Sequence, residues 1–290
     1  MNQNYTLEKN KFGFYEISPK PTQHELSAFY EKKYYQENRS QYQSNYTDDE
    51  KLFFRNSAKL AHETLIKLNR KISNLLDLGC GEGFFANYFH EQGVDIFLND
   101  YSSNGIERHN PHLLEYLEKG DSSTYLENSK NKYDFISLNN VLEHVIDPEH
   151  LMASIKKVMH PDSVLRITVP NDFSAFQMKL LDNQLTDKTW IAPPEHLSYF
   201  NVPSLKKFCV SCGFDILSTQ SSYPIEQFLV SPNSNYWKDR SLGKSAHLTR
   251  VFCVNYLSEQ KPQQYINYME SAAELEFGRD ITIYIQLAKS

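Results

Sequence analysis

Residues Leu75 to Phe89 read LLDLGCGEGFFANYF. An apolar run ends at Leu78, glycine follows at positions 79, 81 and 83, and an amphipathic stretch begins. Asp77 sits just before the glycines. Glycine tolerates positive φ and carries no Cβ, so three of them at alternate positions mark a turn where a ligand can approach the main chain. A strand, a glycine turn and a helix in succession form the ligand-binding corner of nucleotide folds, at the carboxyl end of the first strand. The spacing G-x-G-x-G differs from the G-x-G-x-x-G of dinucleotide sites, and the loop has no lysine for phosphates, which excludes a P-loop.

Outward from this turn, strand-like and helix-like segments alternate. NLLDLG, VDIFLND, LEYLEKGD, YDFISLNN, SVLRITVPN, FDILSTQSS and DITIYIQLAK read as strands. GFFANYFHEQG, SSNGIERHN, DPEHLMASIKKVMHP and PSLKKFCVSCG read as helices between them. This rhythm predicts an α/β fold: a Rossmann-like, seven-stranded, mainly parallel sheet with helices on both faces. Residues 48–69 predict a further amphipathic helix with acids at its start. Residues 1–45 are expected to be an irregular arm with a short helix near 22–35. The expected division is therefore 1–70, a helical N-terminal arm covering the ligand site, and 71–290, the α/β domain. Two stretches, 171–200 and 221–278, interrupt the alternation as inserts, and inserts of this length are often lids or binding elements.

Composition narrows the function. The chain has 290 residues and a formal charge of -6, with no basic stripe, which argues against a nucleic-acid partner. No run of about 18 apolar residues exists to span a membrane. The start lacks a signal-peptide pattern, so a cytoplasmic location is expected. Four cysteines are too few for a disulfide framework. Cys209 and Cys212 lack a second pair for zinc and are expected to pack as thiols. Tyrosines crowd FYEKKYYQENRSQYQSNY, either to edge a ligand or to pack on the domain.

Three acids fall at three expected strand ends: Asp77, Asp100 and Asp121. An acid at the end of the second strand can accept from two ribose hydroxyls. Carboxylates without a basic partner in the loop favour a positively charged nucleoside over a pyrophosphate. With LLDLGCGEG, LND, GDSS, YDFISLNNVLEHVIDPEHLMASIKKVMHPDSVLRITVPN and PPEHLSYFNVPSLKKFCVSCGF, the chain resembles the class I S-adenosylmethionine-dependent methyltransferases over about residues 72–220. It is most similar to the branch holding ubiquinone-type O-methyltransferases and methyltransferases of bacterial surface-polysaccharide pathways. The resemblance implies S-adenosyl-L-methionine as cofactor, leaving as S-adenosyl-L-homocysteine. It implies that Gly79, Cys80 and Gly81 line the methionine part, that Asp77 orients the loop or reaches the amino group through water, and that Asp100 binds the ribose with Tyr101 against the adenine. Asp121 and Ser122 would meet the adenine edge and Asn139 the methionyl amine, with Arg55 a candidate for its carboxylate.

The resemblance further implies a small-molecule acceptor, a hydroxyl of a sugar or sugar-linked metabolite in surface-polysaccharide biosynthesis. Alternatives are O- or N-methylation of a quinone precursor or other small metabolite, or a non-catalytic cofactor-binding module. A monomer or homodimer is expected. A hydroxyl nucleophile must shed a proton, and histidine suits that role. His144, in NNVLEHV, and His196, in APPEHLSYF, follow the fourth and fifth strands and are the candidate bases, with Glu143 and Glu195 beside them. A cation held by Glu143, His144 and His196 would resemble the metal site of RNA 2′-O-methyltransferases. Asn140 departs from that motif, so no metal is expected.

Overall fold

A computed structural model of the chain describes residues 5–26, 29 and 45–289. Seven strands form the central sheet: β3 (Asn74–Leu78), β4 (Asp95–Asp100), β5 (Leu117–Lys119), β6 (Tyr133–Asn139), β7 (Met159–Pro170), β9 (Phe214–Ser221) and β10 (Asp280–Leu287). Their order is β5-β4-β3-β6-β7-β10-β9. β3 pairs parallel with β4 and β6, β4 with β5, and β6 with β7, while β10 runs antiparallel between β7 and β9. The glycine turn therefore leaves the middle of the sheet, where the strand order reverses direction. In open α/β sheets that is where ligands bind. The central strands are apolar on both faces because helices cover both: Leu76, Leu78, Ile136 and Leu138 pack on one side, Leu75, Leu98 and Phe135 on the other.

Five of the covering helices fall on the expected helical segments; one at 122–128 and three in the two inserts add to them. In chain order the helices are α1 (Asp48–Lys67), α2 (Phe84–Glu91), α3 (Asn104–His109), α4 (Ser122–Asn128), α5 (Pro148–Lys157), α6 (Ala175–Asp182), α7 (Val202–Ser211), α8 (Gly243–Gln260) and α9 (Pro262–Glu274). A capping box between Thr47 and Glu50 starts α1, and Asp48, Asp49 and Glu50 complement its dipole. One boundary moves: α5 ends at Lys157 and the MHP that follows opens β7, since Pro161 cannot continue a helix. Cys209 is fully buried and Cys212 half-buried, both free thiols. Among the described residues no helix is long and apolar enough to cross a membrane.

The N-terminal stretch departs from expectation. Instead of an irregular arm, residues 5–18 form a hairpin of β1 (Thr6–Lys9) and β2 (Tyr15–Ser18). β2 pairs antiparallel with β8 (Ser198–Tyr199), a short strand inside the 171–200 insert. Both hairpin strands are short and polar, so the partner from the insert, absent from any local sequence window, decides their conformation. Between them Phe12 and Phe14 enter the main core, where Phe14 lies 4.2 Å from Phe200 and 5.7 Å from Phe208, centroid to centroid. Residues 23–26 are helical; most of the expected 22–35 helix and the Tyr-rich segment up to residue 44 lie outside the described residues. The 221–278 insert folds back as α8 and α9 onto α1, where Leu60 packs with Val254, Tyr265, Ile266 and Met269. Buried Asn56 donates to Asn255 across that contact at 3.1 Å.

Phe14 is 1% exposed and anchors the hairpin. Phe14→Ala is expected to lower unfolding free energy by about 3–5 kcal/mol in urea melts. A loss below about 1 kcal/mol would mean that the hairpin docks without contributing to the core.

Candidate functional site

The glycine turn is built by its neighbours in β4. Gly79 N–H and Cys80 N–H both donate to the Asn99 carbonyl, at 2.8 and 3.2 Å. Gly81 N–H donates to Asp100 Oδ2 at 2.9 Å, and Ser102 N–H to Asp100 Oδ1 at 3.0 Å. An ionised carboxylate has about four acceptor positions, so Asp100 can still receive two hydroxyls. Burial raises its pKa and these backbone donors oppose the rise. Gly79 sits at φ +69°, and a Cβ there would come within 2.4 Å of Val141 Cγ2. The turn therefore excludes side chains for two reasons: its backbone is left-handed, and the loop after β6 is pressed against it. Cys80 is buried in the core beside it, and burial with the nearby Asp100 and Asp77 holds its thiol protonated.

The remaining donor-side candidates form a rim. Asp121 caps α4, accepting from Thr124 N–H at 3.0 Å. Its other oxygen accepts from the Tyr101 hydroxyl at 2.6 Å, with the Tyr101 ring half exposed. Ser122 donates to Asn99 Oδ1 at 2.8 Å, and Asn99 Nδ2 donates to the Glu118 and Gly120 carbonyls. Asn99 thus ties β5 and α4 to the turn, a role that sequence reading missed. Arg55 is not at this rim: its guanidinium pairs with Glu91 on α2 and lies 5.4 Å over the Tyr88 ring, so the nearer acid takes it.

Beneath the turn, Asp77, Ser137 and Arg166 stand in register on β3, β6 and β7. Arg166 was hidden in a segment read only as an apolar strand. Its guanidinium lies 4.9 Å over the Phe85 ring and reaches Asn139 Oδ1 at 3.5 Å, at the exposed end of β6. Asp77 is 1% exposed, and its Oδ1 makes no hydrogen bond among the described residues. Burial raises its pKa to about 7, partly offset by Arg166. A cradle that a Cβ would fill, two open acceptor positions on Asp100 and an orphaned acceptor on Asp77 fit the cationic nucleoside donor that the resemblance implies.

The two candidate histidines meet across two loops. His144 closes a 3-10 turn at Leu142–His144 and His196 precedes β8. Their rings are edge to face, with centroids 4.9 Å apart. Leu197 N–H donates to the Glu143 carbonyl at 2.8 Å, and Ile17 N–H in β2 to the Leu197 carbonyl at 3.0 Å. His144 Nδ1 lies 2.6 Å from the Glu195 carbonyl, which can only accept, so Nδ1 carries the proton. Next to them is a buried charge cluster without local sequence signature. Arg279 lies 3.4 Å from Glu226 and 3.8 Å from Asp172. Burial raises Asp172 to about 7 against the pull of Arg279.

Residues 39–219 match the family model described as a methyltransferase domain. The chain belongs to that family. A ubiquinone biosynthesis O-methyltransferase of Aliivibrio fischeri is 29% identical over 92 residues, 30% of this chain and 39% of that protein. One of Aromatoleum aromaticum is 22% identical over 150 residues, 49% of this chain and 63% of that protein. The chain thus spans less than two-thirds of the length of these curated relatives. Among solved structures, an S-adenosylmethionine-dependent methyltransferase from Archaeoglobus fulgidus is 20% identical, covers 80% of this chain and 96% of its own, and superposes with a TM-score of 0.49.

Asp77 gives the site a pH signature. Its pKa of about 7 in the folded chain stands against the ordinary aspartate value of 3.8. Between those values the folded state keeps a proton that the unfolded chain has released, so this component of stability is present at low pH and lost as pH rises through about 7. The unfolding free energy of wild type minus that of Asp77→Asn is therefore expected to fall between about pH 5 and pH 8. Urea melts at both pH values test this, and a pH-independent difference would refute it.

Proposed function

We propose that the chain is an S-adenosylmethionine-dependent methyltransferase acting on a hydroxyl of a small polar acceptor, a sugar or sugar-linked metabolite. The observation that carries this reading is the side-chain-free turn, its amides held by Asn99 and Asp100, at the point where the strand order reverses. S-adenosylmethionine, when bound, supplies an electrophilic methyl group on a sulfonium. In this reading Asp100 accepts the ribose hydroxyls, with Tyr101 and the Asp121–Ser122 rim along the adenine. Gly79, Cys80 and Gly81 give main-chain contact to the methionine part, and Asn139 and Asp77 serve its amino end.

His144 and His196 are the groups that manage the proton of the acceptor hydroxyl. His144 follows β6, which lies beside β3, and Val141, three residues before it, packs at Gly79; the His196 ring stands against that of His144. The polar groups beside these histidines, Asp172, Glu226 and Arg279, support a hydroxyl-rich acceptor. The names of the relatives support oxygen as the reacting atom, and they favour a phenolic quinone precursor as the second reading.

Calorimetric titration with S-adenosylhomocysteine should give saturable binding to wild type and at least about tenfold weaker binding to Asp100→Ala, in line with lost hydrogen bonds to a charged acceptor. Absence of binding by wild type would end the reading. His144→Gln should keep that affinity while methyl transfer drops by about 10²–10⁴, the range for losing an acid–base group. Sugar nucleotides and catechols offered in parallel, with methyl incorporation as the readout, separate the two acceptor classes.

A further inference from the structure

Helix α8 is apolar on two opposite faces, of which one is covered among the described residues. Its inner face sends Ala246, Val251 and Val254 into the interior, with Val254 in the cluster that holds Leu60 of α1. On the outside, Leu248 is 41% exposed, Phe252 71% and Tyr256 57%, and the three form one stripe of about 12 Å along the helix. A helix that is apolar on both sides is ordinarily covered on both. Large apolar side chains grouped on one exposed face mark a contact surface, whereas single ones are ordinary. Ser245 and Glu259, also exposed, extend the stripe at its two ends. Positions 245, 248, 252, 256 and 259 are spaced three, four, four and three, so the stripe has the same spacing in both directions from Phe252. Along its first half runs an open groove of about 570 Å³, lined by Ser241, Lys244, Ser245, Leu248, Thr249 and Phe252. Thr249 turns its hydroxyl back to the Ser245 carbonyl at 2.9 Å, which leaves its methyl group to the groove. The charges are placed against the helix dipole: Lys244 is in the first turn of α8 and Glu259 in the last, both exposed. Neither serves the stability of its own helix there.

We propose that this stripe is the interface of a homodimer, in which the α8 helices of two copies of the chain pack antiparallel about a two-fold axis at Phe252. A two-fold contact uses the same patch on both copies, and the symmetric spacing supplies it. Phe252 meets Phe252 of the second copy, and Leu248 meets its Tyr256. The second half of each helix, with Tyr256, fills the groove along the first half of the other. Lys244 comes beside Glu259 of the second copy at both ends, so charges that oppose their own helix dipole are complementary across the contact. A crossing near 20° keeps the side chains together along the whole stripe. A parallel pair would instead set lysine against lysine and glutamate against glutamate. The interface does not rest on the methyl-transfer reading, since none of its residues belongs to the glycine turn or to the surroundings of the two histidines.

Sedimentation equilibrium of the full chain at low salt tests the interface. The average mass is expected to rise from near the 33.9 kDa of one chain at about 5 µM toward twice that value at about 500 µM, as suits a contact of one helix face. Phe252→Glu should keep the mass of one chain over that range. Its melting temperature at the dilute end should match wild type, because the side chain it replaces is exposed. Lys244→Glu and Glu259→Lys, made singly, should each weaken association at least about fivefold, since each sets like charges together at both ends of the pair. The double exchange should bring association back to within about threefold of wild type. A wild-type mass of one chain at every concentration, whether the stripe then takes a different protein or none, would overturn the proposal. Single reversals without effect, as a parallel pair would give, or a double exchange no tighter than the single ones, would overturn it as well.

Discussion

The amides of the glycine turn have no helix or strand to satisfy them, and β4 does it instead. The Asn99 carbonyl takes two and the Asp100 carboxylate takes a third. This shifts the burden of shaping the turn to a neighbouring strand, so the glycines themselves need carry nothing but their lack of side chains. It also leaves Asp100 with its acceptor capacity half used, at the position where nucleotide folds bind ribose. The parallel register of β3 with β4, which sets Leu78 opposite Asn99, keeps these two residues beside the turn.

Electrostatics divides the site into two parts of different character. Around the turn, carboxylates are held by backbone amides or set against one arginine, Arg166, whose guanidinium lies over Phe85. Near the two histidines, buried Asp172, Glu226 and Glu143, with Asp280, crowd one arginine, Arg279. Charges in such a place are retained at a cost in stability unless a ligand or geometry requires them.

The fold was largely legible because its signals are local. Apolar runs such as NLLDL and YDFISLN, each bounded by turn residues, announce buried parallel strands without knowledge of partners. The placing of Asp77, Asp100 and Asn139 was legible for the same reason, since these residues sit at or near the ends of those strands. What stayed hidden depends on residues distant in the chain. TLEK and YEIS become strands through β8, some 180 residues further on. Arg166 is masked by the apolar residues around it. Asp172 and Arg279 come from opposite ends of the second half. The repeated Glu-His pairs were visible, but only the fold reveals that one of the two glutamates faces both histidines while the other offers its main-chain carbonyl.

Leu197 is the bridge between the hairpin strand at Ile17 and the loop at Glu143. Its two main-chain hydrogen bonds set where His196 stands, and neither depends on a side chain. The wall beside His196 is thus built from two remote pieces of polypeptide, residues 5–18 and 171–200, that must match each other, whereas the glycine turn lies outside their contact. A lineage, or an engineer, reshaping that wall would have to exchange both pieces together, and could do so while the glycine turn stayed as it was.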